Sequence, residues 1–164
     1  WYGDTSRMFT VGDISLKSKR LIEITYDALQ LAIKSVIPGK TFGDLGAVIQ
    51  EYVEKNKMSV VRDFCGHGIG NEFHQAPNDL HYGNRNSGPR LESGMCFTIE
   101  LMVNIGRPET KILSDSWTAV TRDKSLSAQF EHTIFVRKEG CEVLTQSFNS
   151  TFFPRGAKLH HNSV

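Results

Sequence analysis

Cys65-Gly66-His67-Gly68-Ile69-Gly70-Asn71-Glu72-Phe73-His74 sets two imidazoles seven residues apart, with glycine at 66, 68 and 70. Alternating glycine is poor helix material and lets the backbone approach other groups closely. In an extended chain residues 67 and 74 fall on opposite faces, so a turn or bulge must intervene before both rings can converge. Neutral imidazole binds metals, and it also carries protons near neutral pH. Taken alone, the stretch is equally a glycine-rich turn with two incidental histidines.

Working outward toward the N-terminus, Ser59 to Phe64 reads as a short strand that leads into this stretch. Two helices precede it. From Ser18 to Val36, Leu21, Ile24, Ala28, Leu31 and Ser35 fall at helical spacing, and Ile22, Leu29, Ile33 and Val36 broaden the stripe. Pro38-Gly39 ends that helix. Thr41 with Asp44 three residues on forms a capping box with Asp in the Glu place. The second helix then runs to Lys57 with Leu45, Val48, Ile49, Tyr52 and Val53 facing inward. Residues 1 to 11 read as strand.

Toward the C-terminus, residues 75 to 94 are rich in Gly, Pro, Asn and Ser and read as a surface loop. Met95 to Val103 is mostly apolar and reads as a central strand with Glu100 inside it. A polar loop at 104 to 116, a brief strand at Trp117 to Val120 and a turn follow. Ala128 to Arg137 is another strand, with Glu131 embedded, and Glu142 to Thr145 closes the sheet. Residues 147 to 164 show no period and are expected to form a loosely ordered tail.

The 164 residues fit one domain with a real core. Hydrophobic content of 39% with 23% charged residues is that of an ordinary globular protein. Lys and Arg number 19 against 18 Asp and Glu, so no electrostatic nucleic-acid binder is indicated. There is no apolar run of about 18 residues, so no membrane span is expected, and the opening does not read as a signal peptide. Cys65, Cys96 and Cys141 are odd in number and lack metal-finger spacing, which fits a reducing, cytoplasmic setting. Trp1-Tyr2-Gly3-Asp4 reads as the middle of a strand or turn, so the chain is expected to be part of something longer.

Two glutamates inside apolar strands need an explanation. An ionised carboxylate buried without a partner costs several kcal/mol. Glu100 and Glu131 beside His67, with Asp4 near the start, form a hard, oxygen-rich donor set that a divalent cation satisfies. Mn(II), Fe(II), Co(II) and Zn(II) all suit such a set.

These residues lie in a recognisable order. GDTSRMF at 3–9, CGHGIGNEFHQAP at 65–77, SGMCFTIE at 93–100, SWTAVTRDKSLSAQFEHTI at 116–134 and GCEVLT at 140–145 together span nearly all of residues 1 to 145. In them the chain resembles the methionine aminopeptidases of the bacterial type I class, within the wider pita-bread metallopeptidases. Prolidases and proline-specific aminopeptidases share the His, Glu, Glu order, but SLSAQFEHT at 125–133 is typical of the methionine enzymes.

The resemblance implies an α+β pita-bread fold, a curved antiparallel sheet with helices on its outer face, here with its N-terminal half incomplete. Residues 1–146 would be the C-terminal portion of a catalytic domain. Up to two divalent ions (Co, Mn, Fe or Zn) would be held. Asp4 and Glu131 look like bridging carboxylates, and His67 and Glu100 like terminal ligands of one ion. His74 is similar to the histidine that contacts the scissile peptide, and Phe73 and Trp117 resemble walls of the methionine pocket. An apolar, partly aromatic slot suits a thioether. The implied reaction is metal-assisted hydrolysis of the first peptide bond of peptides and nascent chains, by a monomer in the cytoplasm. In it Glu100 accepts the water proton and His74 hydrogen-bonds the tetrahedral intermediate.

Departures from the pattern temper that picture. The family's other metal carboxylate, a further substrate-contacting histidine and much of the pocket lie upstream of Asp4, so the chain alone is expected to hold one ion and to turn over little. Leu101 stands where the family has proline, which loosens the strand after Glu100. The rival readings are another pita-bread peptidase, such as a prolidase, and a non-catalytic module that binds peptides.

Overall fold

The computed structural model describes residues 1–146, and the expected tail at 147–164 lies outside the described residues. Two helices come first, α1 (Leu16–Ser35) and α2 (Phe42–Lys55). Ten short strands follow: β1 (Ser59–Val60), β2 (Gly66–Gly68), β3 (Gln75–Asp79), β4 (Cys96–Ile99), β5 (Met102–Asn104), β6 (Thr110–Ile112), β7 (Ala119–Thr121), β8 (Ser127–Gln129), β9 (His132–Val136) and β10 (Cys141–Val143).

Local chemistry explains the helix ends. Ser15 caps α1, its hydroxyl accepting from the Ser18 N–H at 3.1 Å, so the helix begins at Leu16, ahead of the expected Ser18. Thr41 and Asp44 form the full reciprocal box of α2: the Asp44 carboxylate accepts from the Thr41 N–H at 2.9 Å and the Thr41 hydroxyl from the Asp44 N–H at 3.2 Å. The buried stripe of α1 is Leu21, Ile24, Thr25, Ala28, Leu29 and Ala32. Leu31 turns outward, because Ala28, Leu29 and Ala32 already fill the face toward α2 and the sheets. On α2 Leu45, Ile49 and Val53 are buried, while Val48 and Tyr52 are half-buried.

The strands pair antiparallel in three sheets, ordered β1-β5-β8, β10-β9-β4-β2-β3 and β6-β7. The first two sheets share one long ribbon. β4 pairs with β9 from Cys96↔Phe135 to Ile99↔His132, and β5 pairs with β8 from Met102↔Gln129 to Asn104↔Ser127. The segments 96–104 and 127–136 therefore run side by side through both sheets. They change sheets at Glu100-Leu101 and at Phe130-Glu131. Two unbroken strands are expected from the sequence, but each glutamate sits at a break between strands, Glu100 between β4 and β5 and Glu131 between β8 and β9. The apolar run hides the break because Phe97, Ile99, Leu101 and Val103 are all buried on both sides of it.

Two further expectations change. Residues 1–11 make no ladder beyond a bridge between Ser6 and Glu131, and Phe9 and Val11 are exposed. The segment is stitched down instead by the Tyr2 N–H to the Gly70 carbonyl and by the Thr133 hydroxyl at Asp4. The loop at 75–94 contains β3, an edge strand whose Pro77 lacks the ladder donor, as edge positions allow. Likewise the loop at 104–116 holds β6, which forms a hairpin with β7.

α1 packs on α2, β4, β5 and β8, and α2 packs on β1. The core runs from Leu21, Leu29, Leu45 and Ile49 to Phe97, Ile99, Ile134 and Val136. Emptying one such position, as in Leu29→Ala, costs about 2–5 kcal/mol. That packed layer is the support on which the two glutamate-bearing segments stand. Among the described residues no helix is long and apolar enough to cross a membrane.

Candidate metal centre

The opening stretch folds as its composition requires. β2 lies so close to its neighbours that a Cβ on Gly66 would strike the Thr98 carbonyl oxygen, and one on Gly68 the Ala76 carbonyl oxygen. The β2–β3 register shifts between His67 and Gly68, which is the irregularity needed for His67 and His74 to converge. Their ring centroids are 4.3 Å apart.

His67 has a defined tautomer. Its Nδ1 lies 3.0 Å from the Gly68 carbonyl oxygen, which can only accept, so Nδ1 carries the proton. Nε2 then presents a lone pair, 3.4 Å from Glu100 Oε1 and 3.9 Å from Asp4 Oδ2. One ligand atom each from Asp4, His67 and Glu131 lie within 4.8 Å of one another. The bridging backbone hydrogen bond from the Glu131 N–H to the Ser6 carbonyl brings residues 4–6 against this break. Asp4, His67 and Glu131 thus form one group, and Glu100 adjoins it through its approach to His67.

Lone pair faces lone pair across this cluster, which is repulsive unless a cation or a proton intervenes. Burial, then the Glu100 and Asp4 carboxylates, push the Glu131 carboxyl up to about 8. Burial also raises Glu100, opposed by the Thr98 hydroxyl and by His67. Glu131 Oε1 is buried without a hydrogen-bond partner among the described residues. An orphaned carboxylate oxygen, a neutral imidazole lone pair and two more carboxylates fit a hard divalent cation.

The remaining predicted site residues are less uniform. Phe73 packs edge-on against Tyr2 at 5.6 Å and against His74 at 4.6 Å, and His74 is exposed, its ring free to meet a ligand. Trp117 stands apart, 87% exposed between β6 and β7, and among the described residues no aromatic ring packs on it. Residues not expected from the sequence line the far side. Thr98 accepts the His67 N–H at 3.0 Å and donates to Glu100 Oε1 at 3.0 Å. His81 Nε2 accepts the Glu100 N–H at 3.2 Å, and burial holds its imidazole down at about 3. Asp79 is fully buried with both oxygens unpaired among the described residues, and burial, then the Glu100 charge, raise its carboxyl well above the usual range. The only sequence signal for these three was their position on either side of the histidine stretch and Glu100.

Residues 1–138 match the model of metallopeptidase family M24. The chain belongs to that family. It is 55% identical over 156 residues to the methionine aminopeptidase of Rickettsia prowazekii, covering 94% of this chain and 60% of that protein. The crystal structure of methionine aminopeptidase from Rickettsia prowazekii superposes with a TM-score of 0.88 over 89% of this chain and 59% of that one, also at 55% identity. Prolidase from Pyrococcus furiosus, at 23% identity and TM-score 0.66 over 88% of this chain and 37% of its own, shares the fold alone. The fold is therefore the pita-bread fold of M24. The chain spans about 60% of the length of its Rickettsia relative.

Proposed function

We propose that this protein is a metal-dependent aminopeptidase that removes N-terminal methionine from peptides and nascent chains. The observation that carries the reading is the His67 Nε2 lone pair turned onto Asp4 and Glu100, with an orphaned Glu131 oxygen beside it. The likeness to proteins named methionine aminopeptidase, more than twice as identical as the prolidase, supports methionine over proline specificity.

Asp4, His67, Glu100 and Glu131 would hold the divalent ions. Co, Mn, Fe and Zn are all compatible with these donors. A bound divalent ion supplies Lewis acidity and lowers the pKa of water. Glu100 is the proton acceptor for the attacking water. His74 donates a hydrogen bond to the oxygen that becomes negative at the scissile carbonyl. Phe73 and Trp117 wall the methionine side chain, Phe73 in place beside His74 and Trp117 contributing from the β6–β7 loop. The protein acts as a monomer in the cytoplasm, a setting supported by three free cysteines.

Hydrolysis of Met-Ala-Ser against an Ala-Pro dipeptide tests the reading. The measurement uses a chimera joining this chain to the part of the Rickettsia relative that it does not span. Methionine released from the first peptide, with the second untouched, is expected. Preferential cleavage of the proline dipeptide, or no methionine release from a metal-loaded chimera, overturns it.

A further inference from the structure

We propose that Thr98 and His81 are positioning residues that hold Glu100 in its ligating place, Thr98 also locking it to His67. The inference rests on the metal-centre reading of Glu100 and His67.

The ladder between β4 and β9 ends at Ile99↔His132 and resumes between β5 and β8 at Met102↔Gln129. Glu100 lies in that gap, so regular strand pairing does not fix it. Side chains do so instead. Its N–H donates to His81 Nε2 at 3.2 Å, and its Oε1 accepts the Thr98 hydroxyl at 3.0 Å. Among the described residues its carbonyl receives a long 3.5 Å approach from Gln129 Nε2. Leu101 follows and leaves φ free, where a proline would fix it.

Thr98 does more than hold one ligand. A hydroxyl has one proton and two lone pairs. Here the proton goes to the Glu100 carboxylate and a lone pair receives the His67 N–H, so one oxygen joins the two ligands. Thr98 is fully buried, and water cannot replace either bond. Its β-branched side chain is stiff at χ1, which fixes the oxygen between the two strands. His81 is 2% exposed, and its accepting Nε2 defines a neutral ring with the proton on Nδ1. Ligand orientation by groups behind the first shell commonly changes metal affinity by one to two orders of magnitude.

Co(II) titration of the metal-free chain, read by calorimetry and by the visible d–d bands, tests this. Thr98→Val removes only the hydroxyl, and Thr98→Ser keeps it. Thr98→Val should weaken Co(II) binding roughly 10- to 100-fold and alter the d–d spectrum, with Thr98→Ser recovering most of both. His81→Leu should weaken binding as well, and His81→Gln, which retains an acceptor, less so. Thr98→Val with the parent's affinity and spectrum, or Thr98→Ser as weak as Thr98→Val, overturns the proposal. Should Thr98→Val not fold, long-range 1H–15N correlation on the parent decides through His81: an unprotonated Nε2 supports the clamp, and a protonated Nε2 overturns it. A parent chain that takes up no ion refutes the metal-centre reading itself. An ion held without methionine release from the chimera refutes only the proposed activity.

Discussion

The two strand breaks at Glu100 and Glu131 lie on one ribbon but are held by different means. Glu131 is fixed through its backbone: its N–H donates to the Ser6 carbonyl, and its carbonyl accepts the Thr5 hydroxyl at 2.8 Å. Its carboxylate is left bare, with Oε1 buried and unpartnered among the described residues. Glu100 is the reverse, half-buried, with its carboxylate restrained by Thr98 and its backbone by a histidine. A bare, buried carboxylate gains most from a cation, because nothing else offsets its desolvation. A carboxylate already hydrogen-bonded gains less and is instead oriented. The difference teaches that, on the metal-centre reading proposed above, Glu131 would supply affinity and Glu100 geometry.

The largest effect should come from breaking that asymmetry at its strong side. Glu131→Gln is expected to abolish stoichiometric Co(II) binding in a calorimetric titration, since it removes one of the two ligands expected to serve both ions, and the more deeply buried of the pair. Glu100→Gln should leave weaker but measurable binding with an altered d–d spectrum. Equal affinity in the two variants would mean that the breaks are equivalent.

A smaller effect is expected outside both breaks. His74 lies against His67 and Phe73 and accounts for none of the carboxylates' needs. His74→Ala, made in the methionine-releasing chimera, should lower kcat roughly 10²- to 10³-fold with KM little changed, the scale of one lost oxyanion donor. Metal content, measured by atomic emission, should stay at the parent's value. Loss of the ion would move His74 into the ligand set and blur the division of labour between the breaks.

Much of this was legible in residue types and much was not. The capping box at Thr41 and Asp44 and the apolar stripe of α1 announced both helices, because each is a local device whose partners lie three or four residues apart. The alternating glycines around His67 announced a close backbone approach and a bulge, and both are present. The strand breaks at the two glutamates left no mark. Leu101 and Phe130 are apolar and buried, so a chain that leaves one sheet for another looks the same as one that continues. β3 was hidden because Gln75-Ala76-Pro77-Asn78-Asp79 alternates nothing apolar, its edge position asking for little burial. Thr98 and His81 could not be read at all. Their roles depend on which way a hydroxyl proton and an imidazole lone pair point, and spacing carries no such information.

The last test probes the ground behind Glu100, where Asp79 is the one group that neither break explains. Its carboxyl is fully buried on β3, 3.9 Å from His81 Nε2, and no hydrogen bond reaches either oxygen among the described residues. Burial, then the Glu100 charge, raise its folded-state pKa well above the ordinary carboxylate value near 3.9. The unfolded chain ionises first, so the contribution of Asp79 to stability is fully present below about pH 4 and is lost as pH rises through the raised folded value. Asp79→Asn removes the ionisation while keeping the shape. In the metal-free chain the variant should match the parent near pH 4 and exceed it progressively toward pH 8. The gain grows at about 1.4 kcal/mol for each pH unit between the unfolded and folded pKa values, and each kcal/mol appears as about 2–4 °C in Tm for a domain of this size. Thermal melts at both pH values measure it. A gain that is the same at pH 4 and pH 8 would place the cost in packing and not in charge. A loss at pH 8 would show that Asp79 stays ionised and holds a partner, and the rear of Glu100 would then be a second charged wall in place of a neutral one.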